Sequence, residues 1–205
     1  MDDRPRTTIG LPAAHHHGLG ARPPLKTGRP PVSIALIYGS TTGNTENAAE
    51  MIRDELGDRL TFFGDVNQIK PSDLLAYDVL ILGCPTWHIG ELQDDWEMFL
   101  PGMRSLDLRG KKIAMFGMGD ALSYSDTFLD AFGLLWDELK TRGAPELIGV
   151  WPSADYDFDE SKGMYDADHF MGLGLDEENQ PEMHEERIQK WTRQLLNELG
   201  LAPAT

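Results

Sequence analysis

Short apolar runs of strand length alternate with amphipathic segments of helical period along most of the chain. Residues 32–38 are apolar except for one serine and rich in β-branched and aromatic side chains, as is typical of a strand buried on both faces of a parallel sheet. Further strands are predicted at 60–66, 77–82, 112–116 and 147–151. The apolar spacing predicts helical segments at 46–56, 71–75, 91–100, 128–139 and 183–199. Five alternations of strand and helix predict an α/β fold with a doubly wound five-stranded parallel sheet.

A long loop interrupts the last predicted strand. Residues 152–169, hereafter the acidic insertion, combine acidic and aromatic side chains, including Asp155, Tyr156, Asp157, Phe158 and Asp159. A plain connection of this length is uncommon between two elements of one domain. Because β character resumes at 170–175, we interpret these residues as an insertion that splits the last strand. It is either a docking surface or a solvated loop.

The first strand is followed by a turn rich in glycine and hydroxyl groups, Gly39-Ser40-Thr41-Thr42-Gly43-Asn44-Thr45, hereafter the hydroxyl loop. Free N–H groups and the helix dipole make a helix N-terminus a ready anion site. The loop lacks the lysine of a nucleoside-triphosphate loop, and Leu122 stands at the third glycine position of the dinucleotide pattern that Gly117 and Gly119 begin. Neutral donors favour a single phosphate monoester. The alternative is an ordinary helix cap.

Two further loops present an aromatic side chain at the same edge of the predicted sheet. Trp87 follows the third strand and Tyr124 follows the fourth, whereas the other four tryptophans fall within helices or a strand and are predicted to be packing residues. In a doubly wound sheet the loops after the first, third and fourth strands converge. Two aromatic rings beside a phosphate site are what a flat ring with a phosphorylated tail requires.

Acidic side chains dominate the chain beyond its first 31 residues. The whole chain has a formal charge of −16, and residues 32–205 hold 13 basic and 32 acidic side chains, a charge of −19. Such a charge repels nucleic acid and anionic membranes and favours basic partner proteins. The alternative is that it only maintains solubility. No apolar run approaches the ~20 residues of a membrane helix, so we expect no membrane insertion.

Residues 1–31 contain proline pairs, glycine and arginine without apolar periodicity, which predicts a disordered N-terminal tail before one domain at 32–201. The histidines at 15–17 are not expected to form a functional metal site. Cys84, the single cysteine, excludes internal disulfides and is expected to be a packed structural residue. We expect a cytoplasmic protein. A plastid stroma is the alternative, because the tail is poor in acid and contains arginine, as transit peptides do.

Together these segments resemble the long-chain flavodoxins, electron carriers that use flavin mononucleotide (FMN). The matching pieces are 39–45, 84–87 with 89–93, Gly119-Asp120 with Tyr124, and 175–177 with 179–180. The resemblance covers about 32–201 and implies a flavodoxin-like sheet of order 2-1-3-4-5, with the FMN phosphate on Ser40 to Thr45 and the flavin ring between Trp87 and Tyr124. It also implies that backbone groups at 118–120 and 127–129 reach the pyrimidine edge of the ring, with Asp176 near the ribityl chain.

The resulting set of predicted cofactor-binding residues contains no catalytic residue and no metal ligand. Its members are Ser40, Thr41, Thr42, Gly43, Asn44, Thr45, Thr86, Trp87, His88, Ile89, Gly90, Met118, Gly119, Asp120, Tyr124, Thr127, Leu129 and Asp176.

The chain departs from the family pattern at three positions. His88 follows the tryptophan where relatives often have Asn or Gly. Similar proteins turn this peptide when the flavin is reduced, and any Cβ makes that turn harder than glycine does. The imidazole could also make the potential pH-dependent, although the simpler interpretation is that His88 replaces Asn with little consequence. Met118 and Leu129 stand where relatives often carry polar groups, which leaves their backbones to bind.

The resemblance implies a low-potential one-electron carrier and not an enzyme. Asp94, Asp95 and Glu97, with no cation nearby in sequence, favour a low potential. The implied partners are basic redox proteins such as ferredoxin–NADP reductase, photosystem I, a pyruvate oxidoreductase or nitrogenase, and a monomer is expected. The alternative on the same fold is an FMN-dependent NAD(P)H:quinone or flavin reductase, for which no basic cluster is visible. A signalling receiver domain would need acids that are missing here, and a protein without its cofactor would not need both aromatic residues.

Overall fold

A parallel sheet forms the centre of the computed structural model, which describes residues 31–201. The predicted tail, apart from Pro31, and the histidines at 15–17 lie outside the described residues. The strands are β1 (Ile34–Tyr38), β2 (Leu60–Asp65), β3 (Val79–Gly83), β4 (Thr86–Trp87), β5 (Glu91–Leu92), β6 (Lys112–Met118), β7 (Glu146–Leu147), β8 (Trp151–Pro152), β9 (His169–Phe170) and β10 (Leu173–Leu175). The α-helices are α1 (Asn44–Leu56), α2 (Asp94–Met103), α3 (Asp130–Leu139) and α4 (His184–Glu198).

The strand order across the sheet is β2-β1-β3-β6-β10, and neighbouring strands are parallel. The last position is shared by two short strands. β7 pairs with the beginning of β6 through Lys112 and Glu146, whereas β10 pairs with its end through Phe116 and Leu173. The predicted order 2-1-3-4-5 and the split last strand are therefore confirmed.

The predicted bounds of that last strand were wrong. Sheet pairing ends at Leu147 because Gly149 turns the chain with a φ of 73°. Its N–H donates to Glu198 (2.8 Å), and its carbonyl oxygen accepts from the indole N–H of Trp191 (2.7 Å). Trp151 and Phe170 instead belong to the separate antiparallel pair β8–β9 at the base of the acidic insertion.

The helix predicted at 91–100 also begins later. Glu91 and Leu92 form β5, which pairs with β4 in a small antiparallel hairpin. The helix begins at Asp94 because Gln93 is its N-cap, and the Gln93 side chain accepts a hydrogen bond from the N–H of Trp96 (3.3 Å).

Each face of the sheet is covered by two helices. Alternate residues of β1 point to opposite faces, so Ile34 and Leu36 pack towards α1 and α4 while Ala35 and Ile37 pack towards α2 and α3. Trp96 and Trp191 are fully buried on opposite faces, as predicted for packing residues. Among residues 31–201 no helix is both long and apolar enough to span a membrane.

Ala144 offers a test of the backbone geometry, because this exposed alanine adopts a φ of 52° in the turn after α3. A Cβ makes this left-handed conformation unfavourable. We expect Ala144→Gly to raise the free energy of unfolding by about 0.5–1 kcal/mol in urea denaturation, after the greater freedom of glycine in the unfolded chain is subtracted. Ala154→Gly is the matched control: this exposed alanine is not among the described residues with positive φ, so the substitution should destabilise. Equal effects would contradict the assigned geometry.

Candidate functional site

A cavity of about 310 Å³ opens at the carboxyl ends of β1, β3 and β6. Its walls come from the hydroxyl loop, from residues 84–93 (the tryptophan loop) and from residues 119–128 (the tyrosine loop). Twelve of the predicted site residues line it: Thr41, Thr42, Asn44, Thr45, Thr86, Trp87, His88, Met118, Gly119, Asp120, Tyr124 and Thr127. The structure therefore brings together the three loops that the sequence singled out.

The hydroxyl loop presents the free end of α1 to the cavity. Gly43, with a φ of 93°, precedes the helix, and the Ser40 hydroxyl oxygen accepts from the N–H groups of Gly43 (3.1 Å) and Glu46 (3.4 Å). Within the described residues, the N–H groups of Asn44 and Thr45 have no protein acceptor. Ser40 and Gly43 thus shape the loop from outside the lining, and two N–H donors remain available.

Gln93 joins the tryptophan loop to the hydroxyl loop. Its buried amide donates to the Thr41 hydroxyl oxygen (3.3 Å) and to the Asp95 carboxylate (2.6 Å). Beside it, the indole N–H of Trp96 donates to the carbonyl oxygen of Gly83 (2.7 Å). The sequence interpretation missed this role of Gln93. No local signal indicates it, because Gln93 and Thr41 are 52 residues apart along the chain.

Trp87 lies at the end of β4, beside a tight three-residue turn. His88 adopts a φ of 48° and Gly90 a φ of 81°, so the left-handed geometry of His88 is already present in this structure. The rings of His88 and Trp87 meet edge to face with centroids 5.8 Å apart. Ile89 is 79% exposed, and neither Ile89 nor Gly90 lines the cavity.

Tyr124 is carried by a loop that Asp120 organises. The Asp120 carboxylate accepts from the N–H of Ser123 (2.8 Å) and from the side-chain amide of Asn179 (3.0 Å). Burial opposes ionisation of Asp120, but these hydrogen bonds outweigh it and lower the pKa of this carboxyl below its ordinary value. The ionised form therefore stabilises the loop at neutral pH, and this contribution is lost only as the pH falls through the lowered pKa.

Asp176 lies behind the tyrosine loop. This buried carboxylate accepts from the N–H of Ala121 (3.0 Å), the N–H of Asn179 (3.0 Å) and the Asn179 side-chain amide (2.9 and 2.8 Å). It is outside the cavity lining, as is the buried side chain of Leu129, which has a φ of 59°. Asp176 thus connects the end of β10 to the loop that carries Tyr124.

Four residues of the lining are outside the set of predicted site residues: Pro85, Phe128, Glu177 and Glu178. Of these, Phe128 lies within the range 127–129 whose backbone was expected to reach the ring. The two glutamates directly follow β10, so the rule that strand ends converge at one edge could have identified them. With Asp120 they make the lining acidic, and none of the lining residues is a lysine or arginine.

Comparisons with known proteins identify the family. A family model described as Flavodoxin matches residues 36–191. The chain belongs to the flavodoxin family. It is 46% identical over 168 residues to the flavodoxin of Klebsiella pneumoniae, covering 82% of this chain and 95% of that protein. It is 45% identical over 168 residues to a flavodoxin of Nostoc sp., covering 82% and 98%. The crystal structure of Fusobacterium nucleatum flavodoxin bound to flavin mononucleotide superposes with a TM-score of 0.75 at 26% identity, covering 81% of this chain and 98% of that one.

Membership of the flavodoxin family confirms the resemblance to flavodoxins inferred from the sequence, and it is compatible with the long-chain type. It makes the chain an electron-transfer protein that works with redox partner proteins, and not an enzyme. Nothing in the comparisons favours the reductase alternative.

Asp176→Ala tests the hydrogen-bond network behind the cavity of this flavodoxin family member. The substitution leaves the buried N–H of Ala121 and the partly buried N–H of Asn179 without an acceptor, so we expect the free energy of unfolding to fall by about 2–3 kcal/mol. Urea denaturation without added flavin measures this. Glu178→Ala, two residues away and exposed, is the control and should change stability by less than about 0.5 kcal/mol. Similar losses in both variants would show that Asp176 has no special role.

Proposed function

We propose that the chain binds one FMN non-covalently in this cavity and carries single electrons at low potential between redox proteins. The observation that carries the proposal is the convergence of the open end of α1 with Trp87 and Tyr124 on one cavity. Bound FMN would supply a ring that accepts and releases electrons reversibly. We also propose that residues 32–201 form the FMN-binding domain. All eighteen predicted site residues contribute to the FMN site in this proposal, and the six that are outside the cavity lining do so by shaping the loops.

The hydroxyl loop fits a phosphate monoester. The N–H groups of Asn44 and Thr45 are free to donate, the helix dipole favours an anion, and the hydroxyls of Thr41 and Thr42 line the same space. Since neither lysine nor arginine contributes to the lining, a polyphosphate would lack the cations that its higher charge requires. The donor set therefore favours FMN over a dinucleotide.

The two aromatic residues fit a flat ring. Trp87 is half-buried at the end of β4, and Tyr124 is 51% exposed on the tyrosine loop of the same cavity. A ring inserted between them would bury aromatic surface and exclude water from its faces. Met118, Gly119 and Thr127 are part of the same lining, which suits the proposed contact with the edge of the ring.

The carboxylates around the cavity favour a low potential. A carboxylate about 10 Å away opposes an added negative charge by roughly 0.4–1.7 kcal/mol at effective dielectric constants of ~80–20. For one electron this lowers the potential by roughly 20–70 mV. Asp120, Glu177 and Glu178 lie in the lining itself, so their combined effect exceeds that of a single surface charge.

We propose basic redox proteins as partners, among them ferredoxin–NADP reductase, photosystem I, a pyruvate oxidoreductase or nitrogenase. The charge of −19 on residues 32–205 supports this choice. The proposed protein is a cytoplasmic monomer. The single thiol, Cys84, is buried, and burial raises its pKa to about 12, so it is a packed and unreactive residue in keeping with a reducing compartment.

Titration of the flavin-free protein with FMN tests the site. We expect one FMN per chain, detected by quenching of flavin fluorescence, and a dissociation constant at least 10²-fold larger for riboflavin, which lacks the phosphate. Tyr124→Ala should weaken binding of both flavins by about tenfold. Tyr165→Ala is the matched control, because this tyrosine is 56% exposed and lies in the acidic insertion, outside the lining.

Equal affinity for FMN and riboflavin would contradict the assigned phosphate site. Steady oxidation of NADPH by the purified protein alone would favour the reductase alternative. An anaerobic reductive titration that gave only a single two-electron step would overturn the one-electron function.

Electron transfer to a strongly basic redox protein such as cytochrome c should depend on salt. We expect its second-order rate constant to fall about tenfold between about 20 mM and 500 mM salt in stopped-flow mixing, because opposite charges steer the encounter. Transfer to a small neutral quinone serves as the control and should change little. A salt-independent rate with cytochrome c would argue against an acidic docking face.

A further inference from the structure

A buried carboxylate of α3 connects the acidic insertion to the tryptophan loop. The side chain of Asp130 is only 1% exposed. One of its oxygens accepts from the N–H of Lys162 (2.7 Å), and the other accepts from the Lys162 ammonium group (2.7 Å). Lys162 belongs to the insertion, and its side chain is 63% exposed. The ion pair therefore has one fully buried member and one that reaches it from the surface.

The oxygen that faces the ammonium group also faces Gly90. A Cβ added at Gly90 would lie 2.5 Å from Oδ2 of Asp130, so the carboxylate packs directly against the backbone of the turn that follows Trp87. The neighbouring hydroxyl of Thr86 accepts from the N–H of Ala131 (3.2 Å). Both ends of the turn around Trp87 thus contact the first residues of α3.

The insertion approaches the same helix end through its backbone. A Cβ at Gly163 would lie 2.6 Å from the carbonyl oxygen of Leu129, and one at Gly133 would lie 2.4 Å from the carbonyl oxygen of Lys162. There is no room for a side chain at either position without displacement of backbone. Residues 162–163 are therefore packed closely on the start of α3, beside the turn that includes Gly90.

We infer that Asp130 and Lys162 are a positioning pair, through which the acidic insertion holds the His88–Gly90 turn and so the wall of the cavity that Trp87 forms. The expected effect on FMN affinity rests on the proposed function, whereas the contact between the pair and the turn does not. Without the ammonium group, Oδ2 of Asp130 loses its charge-assisted partner in a buried position. We expect the carboxylate to move or take up water, which releases Gly90.

Lys162→Met removes the ammonium group and keeps most of the stem. We expect backbone amides of residues 86–92 to exchange hydrogen about tenfold faster in the full-length protein, read by mass spectrometry, and the dissociation constant for FMN to rise about tenfold, which corresponds to about 1.4 kcal/mol. Lys162→Arg should restore both values towards those of the unmodified protein. Asp130→Asn should reproduce the faster exchange, because an amide cannot pair with the ammonium group in the same way.

Lys190→Met is the matched control. Lys190 pairs with Glu186 on α4 and is 58% exposed, so the variant loses the same charge from a similarly exposed lysine, but one whose partner is also exposed. It should leave both measurements unchanged. Unchanged exchange at 86–92 in Lys162→Met, or an equal effect in Lys190→Met, would overturn the positioning role. Failure of the unmodified protein to bind FMN would refute the proposed function instead, and the exchange measurement would still decide the role of the pair.

Discussion

The site depends on hydrogen bonds that continue the sheet by one residue beyond each strand. The N–H of Gly39 donates to Gly83 (3.0 Å), that of Cys84 to Phe116 (2.9 Å) and that of Gly119 to Leu175 (3.0 Å), in each case to the carbonyl oxygen at or near the end of the neighbouring strand. The loops after β1, β3 and β6 therefore all begin at the same edge of the sheet. The close approach leaves no space for larger residues: a Cβ at Gly117 would lie 2.1 Å from the carbonyl oxygen of Cys84.

Much of the fold and most of the cavity lining follow from local patterns. Buried parallel strands are continuous apolar runs, and the buried face of a helix is visible from the spacing of its apolar residues. Each of these patterns can be recognised within one short segment of the sequence. The position of Trp87 and Tyr124 after neighbouring strands then places them together. The start of α2 was predicted wrongly because Leu92 fits the helical spacing of Trp96 and Phe99 although it lies in a hairpin of two residues per strand.

The supporting contacts were beyond sequence reasoning because they join distant residues. Asp176 meets Ala121 only after β10 has paired with β6. The predicted strand order places these strands side by side but does not specify which backbone group donates to Asp176. The acidic insertion is a similar case. Its base is part of the core: the hydroxyl of Tyr156 donates to the carbonyl oxygen of Gly174 (2.6 Å), and the Arg187 guanidinium lies 4.1 Å from the centre of the Tyr156 ring. Neither interpretation of the insertion as a docking surface or a solvated loop anticipated this packing.

Two properties of the proposed carrier, its hold on the cofactor and its reduction potential, depend on different groups of the site. The proposed hydrogen bonds from Asn44 and Thr45 would act only at contact distance and would hold the phosphate in place. Carboxylates such as Asp120 and Glu177 act over the longer range of Coulomb forces and decide how strongly a bound ring resists an added electron. Because the two sets arise from different loops, one can change without the other. Acidic residues around the cavity can therefore lower the reduction potential of the bound ring without weakening the phosphate site. A chain with this arrangement can retain its cofactor firmly at a low reduction potential.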